Sequence, residues 1–513
     1  MYNFSTQNRK MKLFRKLFSK KRQNDSSEEP KDSLGFSLAA KKSVKWSLFG
    51  EIFAKLAIPI STMILARLLT PEIYGITTAV TIVVTFCEMV TESGFSKLLI
   101  QHDFNSKEEF KKYFSVSFIS SLFLSLIMIA LVYIFKSPLS HAVGNDGYEM
   151  VLFVSCLQIP IASLNALYSA VLKRNFKFKN LFEVKIVYSL LPFVVTIPLA
   201  ILGMRHWSLV IGSIAAQLVQ LPLLVFFSNN KFRIFFSFSY LKKAFVYAAP
   251  MILESIVIWL CAWTSTIIAA KFFDTSTVGI IKVSNSTINS IFLLFSAAFT
   301  SVLFPALSRL KSDKKEYQKT FFSIQSAALA ILIPLGIGVY FYSKTVSDIF
   351  LGSQWGRAAF VIGIFALTKP LIICFNNFQS EVFRSNGHFY SSIFYQFVML
   401  LIDVALKFTL GKISYNWFIW TTVLTDLSIS VIAVLILKFR YKFSLLLELK
   451  SLLIPIFCAA LMAPLAYFGS NSNGNILISV SQALVCASFY FLLLGLFFPK
   501  TLRNAFSFFK REQ

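Results

Sequence analysis

Five ionisable side chains fall in the middle of long apolar runs: Lys55, Glu254, Lys369, Asp403 and Asp426. A charge in such a run is costly unless it meets water, a partner or a cargo, so each marks a candidate site. Glu51 with Lys55, and Asp403 with Lys407, stand four residues apart, a spacing at which helix neighbours neutralise each other. These pairs serve either structure or a water-lined path. Lys369 and Glu254 have no such local partner. Each lies near a proline, Pro370 and Pro250 respectively, that is able to open a helix towards a cavity. Glu254, Asp403 and Asp426 are the candidates for carrying a coupling proton or sodium ion. Arg67, Lys271 and Lys282 lie towards the other ends of their runs. With Lys55 and Lys369 they make a basic path suited to an anion such as phosphate. For Arg67, snorkelling to lipid headgroups is the plainer reading. Glu88 and Glu92 share one helix face and, with Glu51, are structural or gating candidates, with Lys97 as a nearby partner.

Other chemistry is missing. Cys87, Cys156, Cys261, Cys374, Cys458 and Cys486 form no CxxC pair and sit in apolar runs, so they read as small buried hydrophobes. The four histidines are scattered without metal-ligand spacing. No nucleotide-binding, zinc-protease or nucleophile-elbow motif occurs. The sequence therefore predicts no enzyme, no metal and no cofactor beyond proton or sodium coupling.

The elements that must carry these residues follow from composition. Charged residues make up 14% of the chain, where a soluble domain carries about 25%. Mean hydropathy is +0.67. The prediction is an all-α polytopic membrane protein with fourteen spans between residues 46 and 498. Span 73–100, interrupted by Glu88 and Glu92, is the weakest. Net charge is +26, and its distribution tests the count. With both termini cytoplasmic, 37 Lys and Arg fall in cytoplasmic segments and 6 in external loops. That bias is what the positive-inside rule requires, and removing one middle span would invert it. Topology and anionic lipid thus explain most of the charge. Nucleic-acid binding would need a basic patch on a soluble region, and no such region is large enough.

The first 45 residues hold no apolar run long enough for a signal peptide. Within them, residues 8–22 place Leu13, Phe14, Leu17 and Phe18 at helical spacing among basic residues. This arm is either an interfacial helix on anionic lipid or a solvated tail. An internal echo sets ILARLLTPEIYGI (64–76) against IAAKFFDTSTVGI (268–280) at an offset of 204, pairing Gly75 with Gly279. Six spans separate the two segments, so the repeats run parallel and predict pseudo-symmetric halves. The expected layout is an arm at 1–45, a six-helix lobe at 46–228 and a linker at 229–243. A second six-helix lobe at 244–437, two final helices at 438–498 and a tail at 499–513 complete it.

ILARLLTPEIYGI with ESGFSKLLIQ (92–101), FPALSRLKSD (304–313) and LGSQW (351–355) resembles the polysaccharide (Wzx-type) flippase and exporter family. That family belongs to the multidrug/oligosaccharidyl-lipid/polysaccharide transporter superfamily. The resemblance implies a multi-pass protein of the bacterial plasma (inner) membrane. It also implies a flippase carrying an undecaprenyl-diphosphate-linked oligosaccharide to the outer leaflet by alternating access through a cationic cavity. The product would enter capsule, O-antigen, exopolysaccharide or teichuronic acid assembly. Its partners would be membrane lipids, a polysaccharide polymerase and assembly proteins around a monomeric transport unit. The family's acidic residue near the end of span 2 corresponds to Glu92. The long basic arm and Lys271 depart from the family pattern. Two alternatives stand beside this reading: a multidrug or lipid-II exporter of the same superfamily, and a membrane-embedded polysaccharide polymerase. Short external loops and the lack of a catalytic set oppose the polymerase.

Overall fold

The computed structural model describes residues 57–230, 232–470 and 476–499, and every regular element among them is helical. Helix α1 (Ala57–Leu68) is followed by α2 (Pro71–Gln101). Proline suits that first turn, because its missing amide would have no acceptor there. Next come α3 (Lys107–Ile134), a short helix (Lys136–Ala142), α4 (Glu149–Arg174), α5 (Phe178–Ile201) and α6 (His206–Ser228). Helix α7 (Phe238–Phe272) crosses into the second half of the chain. There α8 (Thr275–Arg309), α9 (Lys314–Phe341), a short helix (Ser343–Phe350), α10 (Ala358–Ser385), α11 (Tyr390–Gly411) and α12 (Tyr415–Tyr441) repeat the order of α2 to α6. The chain then adds α13 (Leu445–Ser470) and α14 (Ile476–Phe497).

Local signals explain the boundaries. Ser106 Oγ accepts from the Glu109 amide at 3.1 Å to start α3. Asp313 Oδ1 accepts from the Lys315 and Glu316 amides at 3.0 and 3.1 Å to start α9. Directly after Pro370 the backbone of α10 widens into a π turn at Ile372–Asn377.

Among the described residues, twelve helices are long and apolar enough to cross a membrane. Expected span 277–305 lies within α8, and of span 46–67 only α1 is described. The arm at 1–45, Glu51, Lys55 and nearly all of the tail lie outside the described residues.

Lipid tails are as apolar as leucine, so helices in a bilayer associate through close packing rather than burial from water. The second half shows this in α9 and α10. A Cβ on Gly336 would stand 2.6 Å from the Ala366 carbonyl oxygen, and Ala327, Ala328 and Ala330 of α9 are buried alongside. One continuous core runs from these helices to α13 and α14. Gln325 Nε2 donates to Glu448 Oε1 at 2.7 Å, and Tyr490 Oη donates to the Ala330 carbonyl at 2.9 Å. The final two helices are thus bonded to α9. The first half has separate, smaller cores. Five cysteines are buried and all six are free. Large exposed side chains such as Phe123, Val194 and Phe468 suit a surface bathed in lipid.

Candidate functional site

The repeated glycines meet. A Cβ on Gly75 would lie 1.9 Å from the Thr275 carbonyl oxygen, and one on Gly279 would lie 2.1 Å from that of Pro71. Each glycine of the echo therefore abuts the first turn of the other's helix, and α2 and α8 touch backbone to backbone. Beside them Gly144, with φ +67°, would place a Cβ 2.6 Å from the Ala270 carbonyl oxygen. Here glycine serves both the left-handed backbone and the close approach.

A clasp reinforces this end, which the charge bias predicts to be external. The Ala66 and Leu69 carbonyls at the end of α1 need hydrogen-bond donors. Trp355 Nε1 donates to Ala66 O at 2.7 Å, and Gln354 Nε2 donates to Leu69 O at 3.1 Å. Arg67 Nη2 donates to the Ile349 carbonyl at 2.8 Å. Tyr74 of α2 packs edge-on to Trp355 at 5.4 Å between ring centroids. The LGSQW loop of the second half is thereby bonded to α1 and packed on α2.

Towards the other end, α2 lies along α7. Lys97 Nζ is 3.2 Å from Glu254 Oε2 and 3.3 Å from Ser255 Oγ. Trp259 Nε1 donates to Thr85 Oγ1 at 3.1 Å. A Cβ on Gly94 would lie 2.8 Å from the Ala248 Cβ. Arg174 closes the end of α2, donating to the Leu99 and His102 carbonyls at 3.1 and 2.7 Å and lying 4.7 Å over the Phe104 ring. Its place in a basic loop hid that role from the sequence.

The other candidates disperse. Lys282 Nζ of α8 lies 3.7 Å from the centre of the Trp263 ring on α7. Lys271 is exposed, with its ammonium 5.6 Å over Phe408. Lys369 is half-buried in α10 and attracted by Asp426 of α12. Asp426 is buried, and its Oδ2 has no hydrogen-bond partner. Asp403 bonds Lys407, and it accepts from Ser265 at 2.8 Å and Thr425 at 3.3 Å. Glu88 and Glu92 are half-buried and form no ion pair among the described residues, because Lys97 turns to Glu254. Thr81, Asn285 and Asn289 are exposed on α2 and α8. Asn289 Nδ2 donates to Asn285 Oδ1 at 3.1 Å, which leaves the remaining polar atoms of this exposed face for water or a polar ligand. Among the described residues no cluster of three or more His, Cys, Asp or Glu side chains is able to hold a metal.

The family model for polysaccharide biosynthesis proteins matches residues 64–360, more than half of the chain, and takes in both glycine segments and the Trp355 loop. The chain belongs to that family. This polysaccharide biosynthesis protein is 24% identical over 333 residues to the succinoglycan biosynthesis transport protein ExoT of Rhizobium meliloti (strain 1021). That match covers 64% of this chain and 66% of ExoT, just under two thirds of the relative's length. Teichuronic acid biosynthesis protein TuaB of Bacillus subtilis (strain 168) is 19% identical over 427 residues, covering 81% of this chain and 87% of TuaB. The fold is shared with the lipid II flippase MurJ in an inward closed conformation, with a TM-score of 0.72 at 16% identity. That likeness covers 89% of this chain and 99% of MurJ. With twelve long apolar helices among the described residues, this polysaccharide biosynthesis protein is a multi-pass protein of the inner membrane.

Proposed function

We propose that the chain is a transporter, not an enzyme, and that it flips an undecaprenyl-diphosphate-linked oligosaccharide from the cytoplasmic to the outer leaflet. The names of ExoT and TuaB, a succinoglycan biosynthesis transport protein and a teichuronic acid biosynthesis protein, support this class of cargo. Alternating access is the mechanism. The observation that carries it is the reciprocal contact of Gly75 and Gly279, an outer gate made where the two halves of the chain meet. The lobes are 46–228 and 244–437, with 438–498 docked on the second and both termini cytoplasmic. Inward of the gate, Lys282 and Lys369 offset the diphosphate, while Asn285 and Asn289 bond the sugars. Asp426, buried with an unbonded oxygen, carries the coupling proton or sodium ion.

The test is a flipping assay in vesicles loaded with labelled lipid-linked repeat units, with and without the protein. Movement to the outer leaflet should require the protein, and Lys282→Ala and Lys369→Ala should slow it while the protein remains folded. Equal movement without the protein would reject the reading. Normal movement in both variants would remove these lysines from the cargo path.

A further inference from the structure

Between α11 and α12, at the end predicted to be cytoplasmic, the surface opens into a groove of about 550 Å³. Its walls are apolar. Phe394 of α11 and Leu435 and Phe439 of α12 are exposed along it, with Tyr395 buried at its floor. One rim is polar. Arg440 Nη1 donates to Ser391 Oγ at 2.9 Å, and both residues line the groove. A guanidinium has five N–H donors, so this bond leaves most of its capacity open. Among the described residues no carboxylate comes within ion-pair range of Arg440, and Glu381 on the neighbouring α10 is bonded to Arg384 at 3.1 Å. Exposed Lys438 and Lys442 flank Arg440 and add to the positive field.

An apolar slot that ends in a guanidinium without an acid matches the two ends of a phospholipid. Basic pockets between membrane helices on the cytoplasmic side bind anionic head groups in this way. We propose that the groove binds an anionic glycerophospholipid, with an acyl chain between α11 and α12 and the phosphate accepting from Arg440 and Ser391. The Ser391 hydroxyl accepts from Arg440, which leaves its own hydrogen for a phosphate oxygen. The leaflet follows from the charge bias of the loops; the site itself is independent of the cargo proposed above.

The full-length protein, purified in detergent, is mixed with phosphatidylglycerol or phosphatidylcholine of matched chains, and retained lipid is counted by native mass spectrometry. The wild type should retain phosphatidylglycerol in preference to phosphatidylcholine. Arg440→Gln should lower phosphatidylglycerol retention about fivefold, the effect of one basic charge near a membrane surface. It should leave phosphatidylcholine unchanged. Leu435→Trp, which fills the slot and keeps the charge, should lower retention of both lipids. Arg233→Gln removes an exposed arginine that lies 3.6 Å from Glu108 and should change neither. Equal retention of the two lipids by the wild type would overturn the proposal. So would wild-type retention by Arg440→Gln, or an equal loss in Arg233→Gln. Displacement of phosphatidylglycerol by an equal concentration of undecaprenyl phosphate would also overturn it, because the groove would then belong to the cargo's tail.

Discussion

Lys407 has no exposed surface, and its ammonium bonds Asp403 one turn back on α11. A buried ion pair is stable only when the remaining lone pairs are satisfied, and here Ser265 of α7 and Thr425 of α12 supply the bonds. The pair therefore joins three helices. Removing one partner leaves an uncompensated charge, so Lys407→Met should cost about 3–5 kcal/mol of stability. Asp403→Asn with Lys407→Met should recover most of that loss. Thermal unfolding in detergent measures both, and an unchanged midpoint in Lys407→Met would sink the idea. Asp426 differs, because one of its oxygens has no hydrogen-bond partner although the residue is buried. If it carries the coupling ion, Asp426→Asn should leave the fold intact and make flipping insensitive to an imposed proton or sodium gradient. A variant that still responds to both gradients would move the coupling site elsewhere.

At the scale of elements, the seam between α2 and α8 closes because neither glycine has a side chain. Gly75→Ala or Gly279→Ala would drive a methyl into the backbone of the opposite helix and hold the outer end apart. Gly338 of α9 has open space around its Cβ position, so Gly338→Ala should be neutral or stabilise by about 0.5–1 kcal/mol. Thr78, which is 5% exposed one turn inside the seam, reports the difference. As Thr78→Cys in a protein lacking Cys261, it should react slowly with an impermeant maleimide added outside. Adding Gly75→Ala should speed the reaction, and adding Gly338→Ala should not. The same slow labelling in all three proteins would show that the seam does not gate access. The sequence made the helices themselves legible, since a bilayer demands about twenty apolar residues per span whatever their neighbours. It also displayed Gly75 and Gly279 as a matched pair. What they touch was not legible, because contacts across some two hundred residues depend on how the halves dock. Arg67 shows the same limit. Its position at a helix end made snorkelling the plainer reading over a cavity wall, and only the Ile349 carbonyl reveals the brace.

Across the whole molecule, the two ends of α2 are held to the second half of the chain by different kinds of force. The outer end is backbone contact with the hydrogen bonds of Trp355 and Gln354. Towards the inner end, α2 and α7 are tied by the Lys97–Glu254 pair, whose side chains are 33% and 22% exposed. A pair that water reaches is screened by salt, whereas close-packed backbone is not. If the protein alternates between two openings as proposed, the ion pair is the tie that releases at the smaller cost. Lys97→Glu and Glu254→Lys should each slow flipping, since two like charges then face each other across α2 and α7. The double swap should restore the attraction and most of the rate, with a coupling of about 0.5–1 kcal/mol that shrinks as salt rises. Initial flipping rates of the four proteins at low and high salt give that coupling directly. Additive losses in the double swap would mean that the two residues act separately, and the inner tie would then have to be sought in the Gly94–Ala248 contact.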